Sequence, residues 1–480
     1  MLFSSITFLV FFLPVVLLFY YVIPNRIYKN SILLFASLLF YAWGEPLFIF
    51  LMLVSVVVNY FIGLKLGDNS FSRKRILLII GILANISVLF IFKYLGFSCK
   101  IIDFFLASLH FKPITVINLV MPIGISFYTF QEISYLVDVY RDPRLAQKNL
   151  LNLGLYISFF PQLIAGPIVR YHDINKQIEN RTETIPNFVY GLERFIVGLS
   201  KKILLANAFA LVCDKIYGAG FTSYGTKFAW IAAFAYALQI YYDFSGYSDM
   251  AIGLAKMFGF DLLENFNYPY AASSITDFWK RWHISLTSFF RDYVYIPLGG
   301  NRKGKNRTVL NRFIVFFTTG LWHGAASSFI LWGLAHGALM TADRAFTAKK
   351  SFVFSFIRRV LTLVFVLFLW VLFRNDTIES FKILLKMLGI NYSTFMGKFF
   401  PIHQDEVLSL YVDMKFYVLS LLGILFSFPW WRKISFLYSK NKIVASVLLS
   451  VKYLVLCILL LLCYANLAGN SYNPFIYFRF

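Results

Sequence analysis

Residues 313–324 read FIVFFTTGLWHG, an apolar run that predicts a membrane-spanning helix and that ends in Trp322 and His323. An ionisable side chain at membrane depth is expensive, so it indicates a functional site by default. A neutral imidazole in such a place can accept a proton from a hydroxyl group during group transfer. A second Trp-His pair, Trp282-His283, lies earlier in the chain. Together the two pairs indicate an enzyme that works inside a bilayer.

The composition requires a membrane environment. Of the 480 residues, 59% are hydrophobic and only 14% are charged, whereas soluble domains carry about 25% charged residues. The formal net charge of +22 is carried by short basic clusters between apolar runs, such as 72–75 and 302–312. That distribution is the positive-inside pattern of a protein with several spans. It argues against nucleic acid as a partner.

Apolar segments of roughly 20 residues predict the membrane-spanning helices. We expect an all-α polytopic membrane protein, a single domain over residues 1–480 with about 11–12 spans. The predicted spans are 6–23, 31–48, 49–65, 76–97, 114–138, 226–242, 309–322, 325–341, 357–373, 414–429 and 443–466. Segments 150–167 and 203–217 are predicted to be shorter or re-entrant pieces. In the first of them, Pro161 and Gly166-Pro167 would break a helix.

The basic loops predict the orientation in the membrane. If the loops at 26–29, 72–75 and 141–148 are cytoplasmic, the N-terminus faces outside. The cluster 432–442 is then also cytoplasmic, so the last span delivers the C-terminus to the outer face. We therefore expect residues 443–480 to form a span followed by an outward-facing tail.

Segment 277–293 differs in kind from the predicted spans. Phe278, Trp282 and Phe289 recur at helical spacing, while basic residues such as Arg291 take the other faces. This pattern predicts one amphipathic helix, either lying in the membrane interface or packed as a connector against its neighbours. His283 would sit at the edge of the apolar face and point toward a cavity.

Glycines offer a structural alternative for two histidines. His323 is flanked by Gly320 and Gly324, and His336 by Gly333 and Gly337. This spacing allows close helix approach, so either histidine could be hydrogen-bonded across a tight helix pair.

The reaction class follows from which motifs the sequence contains. It has no G-x-S-x-G and no H-E-x-x-H, which argues against a serine hydrolase and a zinc protease. No metal is expected. A general-base histidine without a protein nucleophile beside it suits the direct transfer of an activated acyl group to a hydroxyl.

Charged and polar residues near the Trp-His pairs are further candidates. Asp243 and Asp249 lie in otherwise membrane-like sequence, and would either line a cavity or pair with a buried arginine. The basic cluster 302–312 would bind the phosphates of a nucleotide-bearing donor such as coenzyme A, or would simply mark topology. The candidates for binding substrate or donor are Trp322, Trp282, Asp292, Arg291, Asp243, Ser245, Arg302 and Lys303.

Two motifs, FWKRWHISLTSFFRDYVYIPLGGN at 278–301 and GLWHGA at 320–325, closely resemble the membrane-bound O-acyltransferase (MBOAT) family. The branch they look like is the alginate and peptidoglycan O-acetyltransferases. MLFSS at 1–5, YAWG at 41–44 and DFSGYSD at 243–249 fit the same branch. The resemblance implies a helical bundle with a central funnel or tunnel from a cytoplasmic donor side to an outer acceptor side. His323 would be the essential histidine and His283 the second one.

The last six residues, FIYFRF at 475–480, resemble a C-terminal signature of this branch, and of a small partner peptide in teichoic-acid D-alanylation. By that resemblance Tyr477 is a transient acyl carrier; the alternative is an aromatic anchor at the interface. A phenol has a pKa of about 10, so an acetyl-tyrosine ester stays activated relative to a sugar ester.

The resemblance implies a complete pathway in the bacterial cytoplasmic (inner) membrane. Acetyl-coenzyme A is the donor substrate, with no resident cofactor, and the acetyl group crosses the membrane, reaching Tyr477. An extracytoplasmic SGNH-hydrolase-like partner then acetylates a polysaccharide of the alginate or peptidoglycan type. The alternatives are D-alanyl transfer to teichoic acid, or a transporter or flippase of polysaccharide precursors with the histidines in proton coupling.

Overall fold

The computed structural model describes residues 1–112, 119–220, 223–343, 351–390, 405–430, 442–469 and 472–476. Within these ranges every regular element is helical, which confirms the predicted all-α class. The first twelve α-helices are α1 (Leu13–Val22), α2 (Arg26–Ala42), α3 (Phe48–Gly67), α4 (Lys74–Leu89), α5 (Leu95–Ser108), α6 (Ile125–Arg141), α7 (Leu150–Ser158), α8 (Phe160–Leu163), α9 (Tyr171–Glu179), α10 (Ile185–Ser200), α11 (Asn207–Gly218) and α12 (Thr226–Met257). They are followed by α13 (Ile275–Trp279), α14 (Ile284–Phe290), α15 (Lys305–His323), α16 (Ser327–Asp343), α17 (Phe352–Arg374), α18 (Thr377–Met387), α19 (Asp405–Ser409), α20 (Met414–Phe426) and α21 (Lys442–Gly469).

Several helices have the length and composition of membrane spans. Five stretches qualify among the described residues: Phe48–Gly67, Lys74–Ser108, Ile185–Gly218, Phe352–Arg374 and Val444–Gly469. Thr7–Val22 and Met414–Phe426 are shorter apolar helices. Large apolar side chains on these helices, such as Phe50 and Leu461, are exposed, as expected where a helix meets lipid. The chain is a multi-pass membrane protein, and the number of eleven or twelve spans stays a prediction.

Two predicted helix boundaries are wrong for the same reason. Segment 203–217 is not a short or re-entrant piece, because it continues α10 through the π-helical segment Lys201–Ala206 into α11. The predicted span 226–242 is too short, because α12 runs on to Met257. In both cases buried charges form ion pairs instead of ending the helix.

The broken segment 150–167 agrees with its prediction. The helix stops at Ser158, a short turn of helix begins at Phe160, and Gly166 takes a positive φ of 113°. Every residue from 153 to 170 is buried. Irregular backbone at membrane depth is tolerated only where protein or a cavity surrounds it, and here protein does.

The predicted single helix over 277–293 is wrong. The chain forms α13, breaks at 280–283, resumes as α14 and continues as a π-helical segment, Arg291–Tyr295. At the break, His283 has a φ of 46°, a left-handed conformation that is uncommon for a side chain of this size. As a consequence His283 is fully buried, and does not lie at the edge of an amphipathic face.

The chain divides into two compact units. Unit 1 comprises Met1–Phe195, Ser248–Glu264 and Arg291–Tyr293; unit 2 comprises Ile196–Tyr247, Asn265–Phe290 and Val294–Phe480. Unit 1 has a cluster of stacked and edge-on phenylalanines, namely Phe3, Phe8, Phe12, Phe40 and Phe160. The core of unit 2 is formed by aromatic and small residues of α11 to α13 and α15 to α18. That both units belong to one membrane domain stays a prediction.

The α15–α16 pair of unit 2 is packed unusually closely, and it carries one histidine of interest on each helix. A Cβ atom added to Gly333 would overlap the Phe316 carbonyl oxygen, and one added to Gly320 would overlap the Phe329 carbonyl oxygen. Only glycine at these positions lets the two backbones approach to that distance. The predicted close helix approach is therefore confirmed.

Candidate active site

His323 is the last residue of α15, and its imidazole stands among aromatic rings. The ring centroids of Trp322, Trp332 and Phe373 lie 4.8, 5.2 and 5.0 Å from that of His323. All three are edge-on to it, with interplanar angles of 70°, 88° and 77°. The helix ends there because Gly324 is fully extended. The imidazole is thus held in an apolar box at the end of a helix.

One side of this box opens into a narrow cavity. Its walls are Ile240, Phe244, Trp282, His323, Trp332, Trp370, Phe373 and Ile476. Its free volume is about 10 Å³, room for about one water molecule. Among these eight side chains, the imidazole of His323 is the one ionisable group. Ile476 belongs to the carboxyl-terminal segment, so that segment forms part of the wall.

His283 is held by an asparagine that determines its tautomer. Asn265 Oδ1 accepts the backbone N–H of Ser285 at 3.3 Å and the Ser285 hydroxyl at 2.8 Å. His283 Nδ1 lies 3.0 Å from the same oxygen, so Nδ1 must carry the hydrogen and Nε2 the lone pair. Burial lowers the pKa of His283 to about 3. The ring is therefore neutral, with a fixed orientation.

The indole of Trp322 lies beside both histidines. Its ring centroid is 5.9 Å from that of His283 and 4.8 Å from that of His323. The His283 ring also packs edge-on against Phe244, a wall of the cavity, at 4.6 Å. The two Trp-His pairs of the sequence thus meet in one aromatic cluster of unit 2.

His336 is hydrogen-bonded, as its flanking glycines suggested, but its partner lies on α13 and not on the closely packed α15. Trp279 Nε1 donates to His336 Nδ1 at 3.2 Å, and Trp332 packs against the His336 ring at 4.9 Å. The imidazole is buried on α16 and is not among the residues that line the cavity. It packs against Trp332, which is itself a wall of the cavity.

Asp243 forms a buried ion pair with a residue that the sequence analysis did not single out. Lys202 Nζ lies 2.7 Å from Asp243 Oδ1, and both side chains are 2% exposed. Asp243 Oδ2 also accepts the backbone N–H of Ile476 at 2.8 Å, and Lys202 Nζ donates to the Pro474 carbonyl oxygen. The prediction of a buried arginine partner for Asp243 is wrong in residue type, because the cation is a lysine. Leaving one such charge unpaired typically costs about 3–5 kcal/mol.

The other predicted residues lie in different surroundings. Trp282 is a wall of the cavity, and Ser245 is buried on α12. Arg302 and Lys303 are exposed, in a turn before α15. Arg291 and Asp292 belong to unit 1. Tyr477 lies outside the described residues.

In unit 1, Asp292 is part of a network of charged groups. Its carboxylate pairs with Arg170 and, at 2.7 Å, with Arg291. Arg170 in turn pairs with Asp173 at 2.7 Å, and His172 contacts Asp173 at 3.2 Å. The charge of Asp292 is therefore already balanced by protein groups.

His172 is the titratable centre of that network. Its Nδ1 lies 2.9 Å from Asp138 Oδ2, and the Tyr293 hydroxyl donates to Asp138 Oδ1 at 2.9 Å. Hydrogen bonds to Asp138 and then to Asp173 raise the pKa of His172 to about 9. In the sequence this histidine looked like an unremarkable loop residue, since both of its carboxylate partners must be brought to it by folding.

Several residues of the candidate site were not predicted from the sequence. Lys202 could have been found, because a lysine within an apolar stretch needs a buried anion and Asp243 is one of few available. Ile240, Phe373 and Ile476 could not, because apolar side chains in apolar segments carry no signal of a cavity. In the part of the chain that the structure describes, no three His, Cys, Asp or Glu side chains cluster as metal ligands do.

Comparison with known proteins identifies the family of this membrane protein. The family model of the membrane-bound O-acyltransferases matches residues 144–378. A protein named probable alginate O-acetylase AlgI, from Pseudomonas syringae pv. tomato, is 43% identical over 79% of this chain and 73% of its own length. The chain belongs to the membrane-bound O-acyltransferase family.

Two further relatives are named for the transfer of different acyl groups. The peptidoglycan O-acetyltransferase of Helicobacter pylori is 34% identical, over 100% of this chain and 98% of its own length. The teichoic acid D-alanyltransferase of Bacillus subtilis is 32% identical over 48% of this chain and 60% of its own length. The chain is an O-acyltransferase enzyme, and the predicted family is confirmed.

Proposed function

We propose that this enzyme moves an acetyl group from cytoplasmic acetyl-coenzyme A across the membrane to the phenol of Tyr477. An extracytoplasmic partner of the SGNH-hydrolase type then takes the acetyl group from Tyr477. That partner O-acetylates a polysaccharide of the cell envelope, of the alginate or peptidoglycan type. We place the enzyme in the bacterial inner membrane, with both termini at the outer face.

One observation supports this proposal above the others. The cavity beside His323 is walled in part by Ile476, the residue directly before Tyr477. Segment 472–476 is therefore not a free extension, because Ile476 reaches the same cavity as His323. An acyl carrier needs such proximity, whereas an aromatic anchor at the membrane interface does not.

In the first step His323 is the general base. The Tyr477 O–H gives its proton to the imidazole as the phenolic oxygen attacks the acetyl carbonyl carbon of the thioester. The C–S bond then breaks, and the coenzyme A thiolate takes the proton from the imidazolium. The products are acetyl-Tyr477 and free coenzyme A. The apolar walls exclude water, which limits hydrolysis of the thioester.

His283 has a supporting role in this proposal. Because Asn265 fixes its tautomer, its neutral ring presents Nε2 in one orientation. Trp322 packs beside it and beside His323. We assign His283 to positioning Trp322, and with it the imidazole of His323.

In the second step the ester passes to the partner. A hydroxyl of the partner attacks the acetyl-tyrosine carbonyl and restores the phenol. A phenolate leaves more readily than a sugar alkoxide, because its conjugate acid has a pKa of about 10. The partner would choose the polysaccharide.

The test uses the purified full chain with labelled acetyl-coenzyme A. The expected result is one labelled acetyl group on the peptide that contains Tyr477, found by mass spectrometry. His323→Ala should lower the rate of labelling by at least about 100-fold, as loss of general-base catalysis typically does. His110→Ala, which changes an exposed histidine of unit 1, is the matched control.

A second pair of variants separates the carrier from the transferase. Tyr477→Phe should abolish both the label and acetylation of the polymer in cells. Tyr453→Phe, at an exposed position of α21, should change neither. Normal polymer acetylation by Tyr477→Phe would refute the carrier role, and full activity of His323→Ala would refute the catalytic assignment.

D-alanyl transfer is the second candidate, because the relative from Bacillus subtilis is named a teichoic acid D-alanyltransferase. Greater similarity to the acetyltransferases, over more of the chain, favours acetyl transfer. Thiol release from acetyl-coenzyme A would support acetyl transfer. A transporter of polysaccharide precursors would release no thiol from acetyl-coenzyme A, and family membership already argues against that alternative.

A further inference from the structure

We infer that unit 2 contains a binding site for the chain's own carboxyl-terminal segment, residues 472–476. Lys202 and Asp243 are its positioning residues. The site holds this segment by its backbone so that the next residue, Tyr477, is presented to the cavity of His323. The inference rests on the proposed function for what Tyr477 does there, and on the contacts of residues 472–476 for the site itself.

The centre of the site is a buried ion pair that is completed by the segment. Asp243 accepts the Ile476 N–H at 2.8 Å, and Lys202 donates to the Pro474 carbonyl oxygen. A paired charge in a low-dielectric interior still needs hydrogen bonds for its remaining valences. Here one partner supplies an acceptor and the other a donor, which matches the polarity of a peptide backbone. The pair and the segment therefore satisfy each other.

Contacts on either side fix the register of the segment. Phe475 stacks on Tyr247 of α12, with ring centroids 4.8 Å apart and planes 29° apart. Asn207 Nδ2 donates to Asn473 Oδ1 at 3.2 Å, and the Tyr472 hydroxyl donates to Asp214 at 2.7 Å. The anchors thus extend over five consecutive residues. A shift of one residue would replace the bonded Ile476 N–H with another and withdraw Ile476 from the cavity wall.

The local helix geometry is suited to this task. Lys202 lies on the π-helical segment Lys201–Ala206, and its ammonium also faces the ring of Phe475 at 5.9 Å. Single π-turns within α-helices frequently occur at functional sites, because they redirect a side chain. Any buried ion pair needs further hydrogen bonds, and for this pair they come from the segment that ends next to the proposed carrier.

The key variant replaces both charges with apolar side chains of similar size, Lys202→Met with Asp243→Leu. Removing both partners of a buried ion pair is often neutral for folding, whereas removing one is not. The matched control is Arg194→Met with Asp249→Leu, which removes an ion pair of 2.8 Å between α10 and α12 within unit 1, two turns before Lys202 in the same continuous helix. Each full-length protein is compared by backbone hydrogen exchange of its C-terminal peptide and by acetylation of Tyr477 from acetyl-coenzyme A.

We expect at least about tenfold faster exchange of the tail amides in the Lys202/Asp243 double variant. We expect Tyr477 acetylation to fall at least about tenfold in kcat, with the KM for acetyl-coenzyme A unchanged, because the pair does not hold the donor. The control double variant should match the wild type in both measurements. Wild-type tail protection and wild-type kcat in the Lys202/Asp243 variant would overturn the inference.

A substitution in the carboxyl-terminal segment itself tests the inference if the double variant does not fold. Ile476→Pro removes the N–H that Asp243 accepts, shortens the side chain at the cavity wall and leaves the ion pair intact. Ile476→Ala, which shortens the same side chain but keeps the N–H, is the control. Faster exchange at Phe475 and a slower acetylation rate support the site, and retention of both refutes it. If wild-type Tyr477 takes no acetyl group while tail exchange still depends on the pair, the carrier function fails and the positioning role fails with it. The segment would then be bound for structural reasons alone.

Discussion

The two histidines of the Trp-His pairs are fixed in the structure by different means. His323 is held by edge-on aromatic rings, which constrain the plane of the imidazole. His283 is held by a shared oxygen of Asn265, which also accepts from Ser285. The first arrangement suits a ring that must take and return a proton. The second suits a ring whose protonation state must not change.

This difference predicts the effect of changing Asn265. In Asn265→Leu the Nδ1–H of His283 and the Ser285 hydroxyl lose a buried acceptor, which should destabilise the fold by about 1–3 kcal/mol. The measurement is the midpoint of thermal unfolding in detergent. Adding His283→Phe to this variant removes the second partner, so the double variant should lose less than the sum of the single losses. Strictly additive losses would contradict the proposed hydrogen bond.

A pH effect is expected from His172. Its pKa of about 9 in the folded chain lies above the ordinary value of 6.5. Its charge therefore contributes stability that is fully present below pH 6.5 and is lost as the pH rises through about 9. His172→Gln should lower the unfolding midpoint at pH 6 and have little effect at pH 10. Asp138→Asn, which removes the main cause of the shift, should act in the same direction; an equal loss for His172→Gln at both pH values would refute the prediction.

A single residue can be recognised from the sequence when its chemistry does not match that of the segment around it. His323 and Asp243 could be found because an ionisable group in an apolar run must be paired, or must have a function. The bond from Asp243 to the Ile476 N–H could not be found, because it joins positions far apart in the chain. The left-handed conformation of His283 has no signal either, since it is imposed by the Asn265 contacts and not by local preference.

Among the elements, the pair formed by α15 and α16 determines where His323 stands. Gly320 and Gly333 each face a carbonyl oxygen of the other helix, and this close packing leaves no room for a side chain. The position of the α15 end, and of the imidazole on it, therefore depends on two residues without side chains. A small change in the packing of α15 against α16 should therefore reduce the activity before it unfolds the protein.

Gly333→Ala tests this dependence. The added methyl group overlaps the Phe316 carbonyl oxygen, so the helices must separate, at a cost of about 1–3 kcal/mol and with a fall in acyl transfer. Gly337→Ala, one turn further on the same helix, is the control, because its nearest neighbour would be Phe316 Cβ at 3.4 Å. It should be close to neutral. The readouts are the unfolding midpoint and the rate of Tyr477 acetylation, and equal behaviour of the two variants would refute the argument.

Helix type was predictable, but helix continuity was not. Apolar length predicted most helices of the chain, and proline and glycine correctly predicted the break in 150–167. The extension of α12 beyond 242 and the continuous helix from 185 to 218 were missed, because each passes through charges that look like loop residues. Those charges are neutralised by partners on other helices, such as Lys202 for Asp243. Conversely, 277–293 had helical periodicity but is broken, since tertiary contacts of Asn265 override it.

For the whole molecule, composition alone was enough to predict a multi-pass, all-α membrane protein. With 14% charged residues, the chain has too little polar surface to remain stable in water. The reaction class came from motifs, and family membership agrees with it. The division into two compact units had no counterpart in the sequence, because no linker or change of composition marks it.

The docked carboxyl-terminal segment has a kinetic consequence. In the function that we propose, the acceptor tyrosine is covalently part of the enzyme, so its loading is a first-order event whose rate constant does not depend on how much protein a cell makes. A short tether maintains an effective molarity in the millimolar range, which a separate carrier peptide would reach only by overproduction. Each enzyme molecule would then carry one acceptor tyrosine, so the amount of acetyl-tyrosine ester cannot exceed the number of enzyme molecules. This amount falls only as fast as acceptors take the acetyl group.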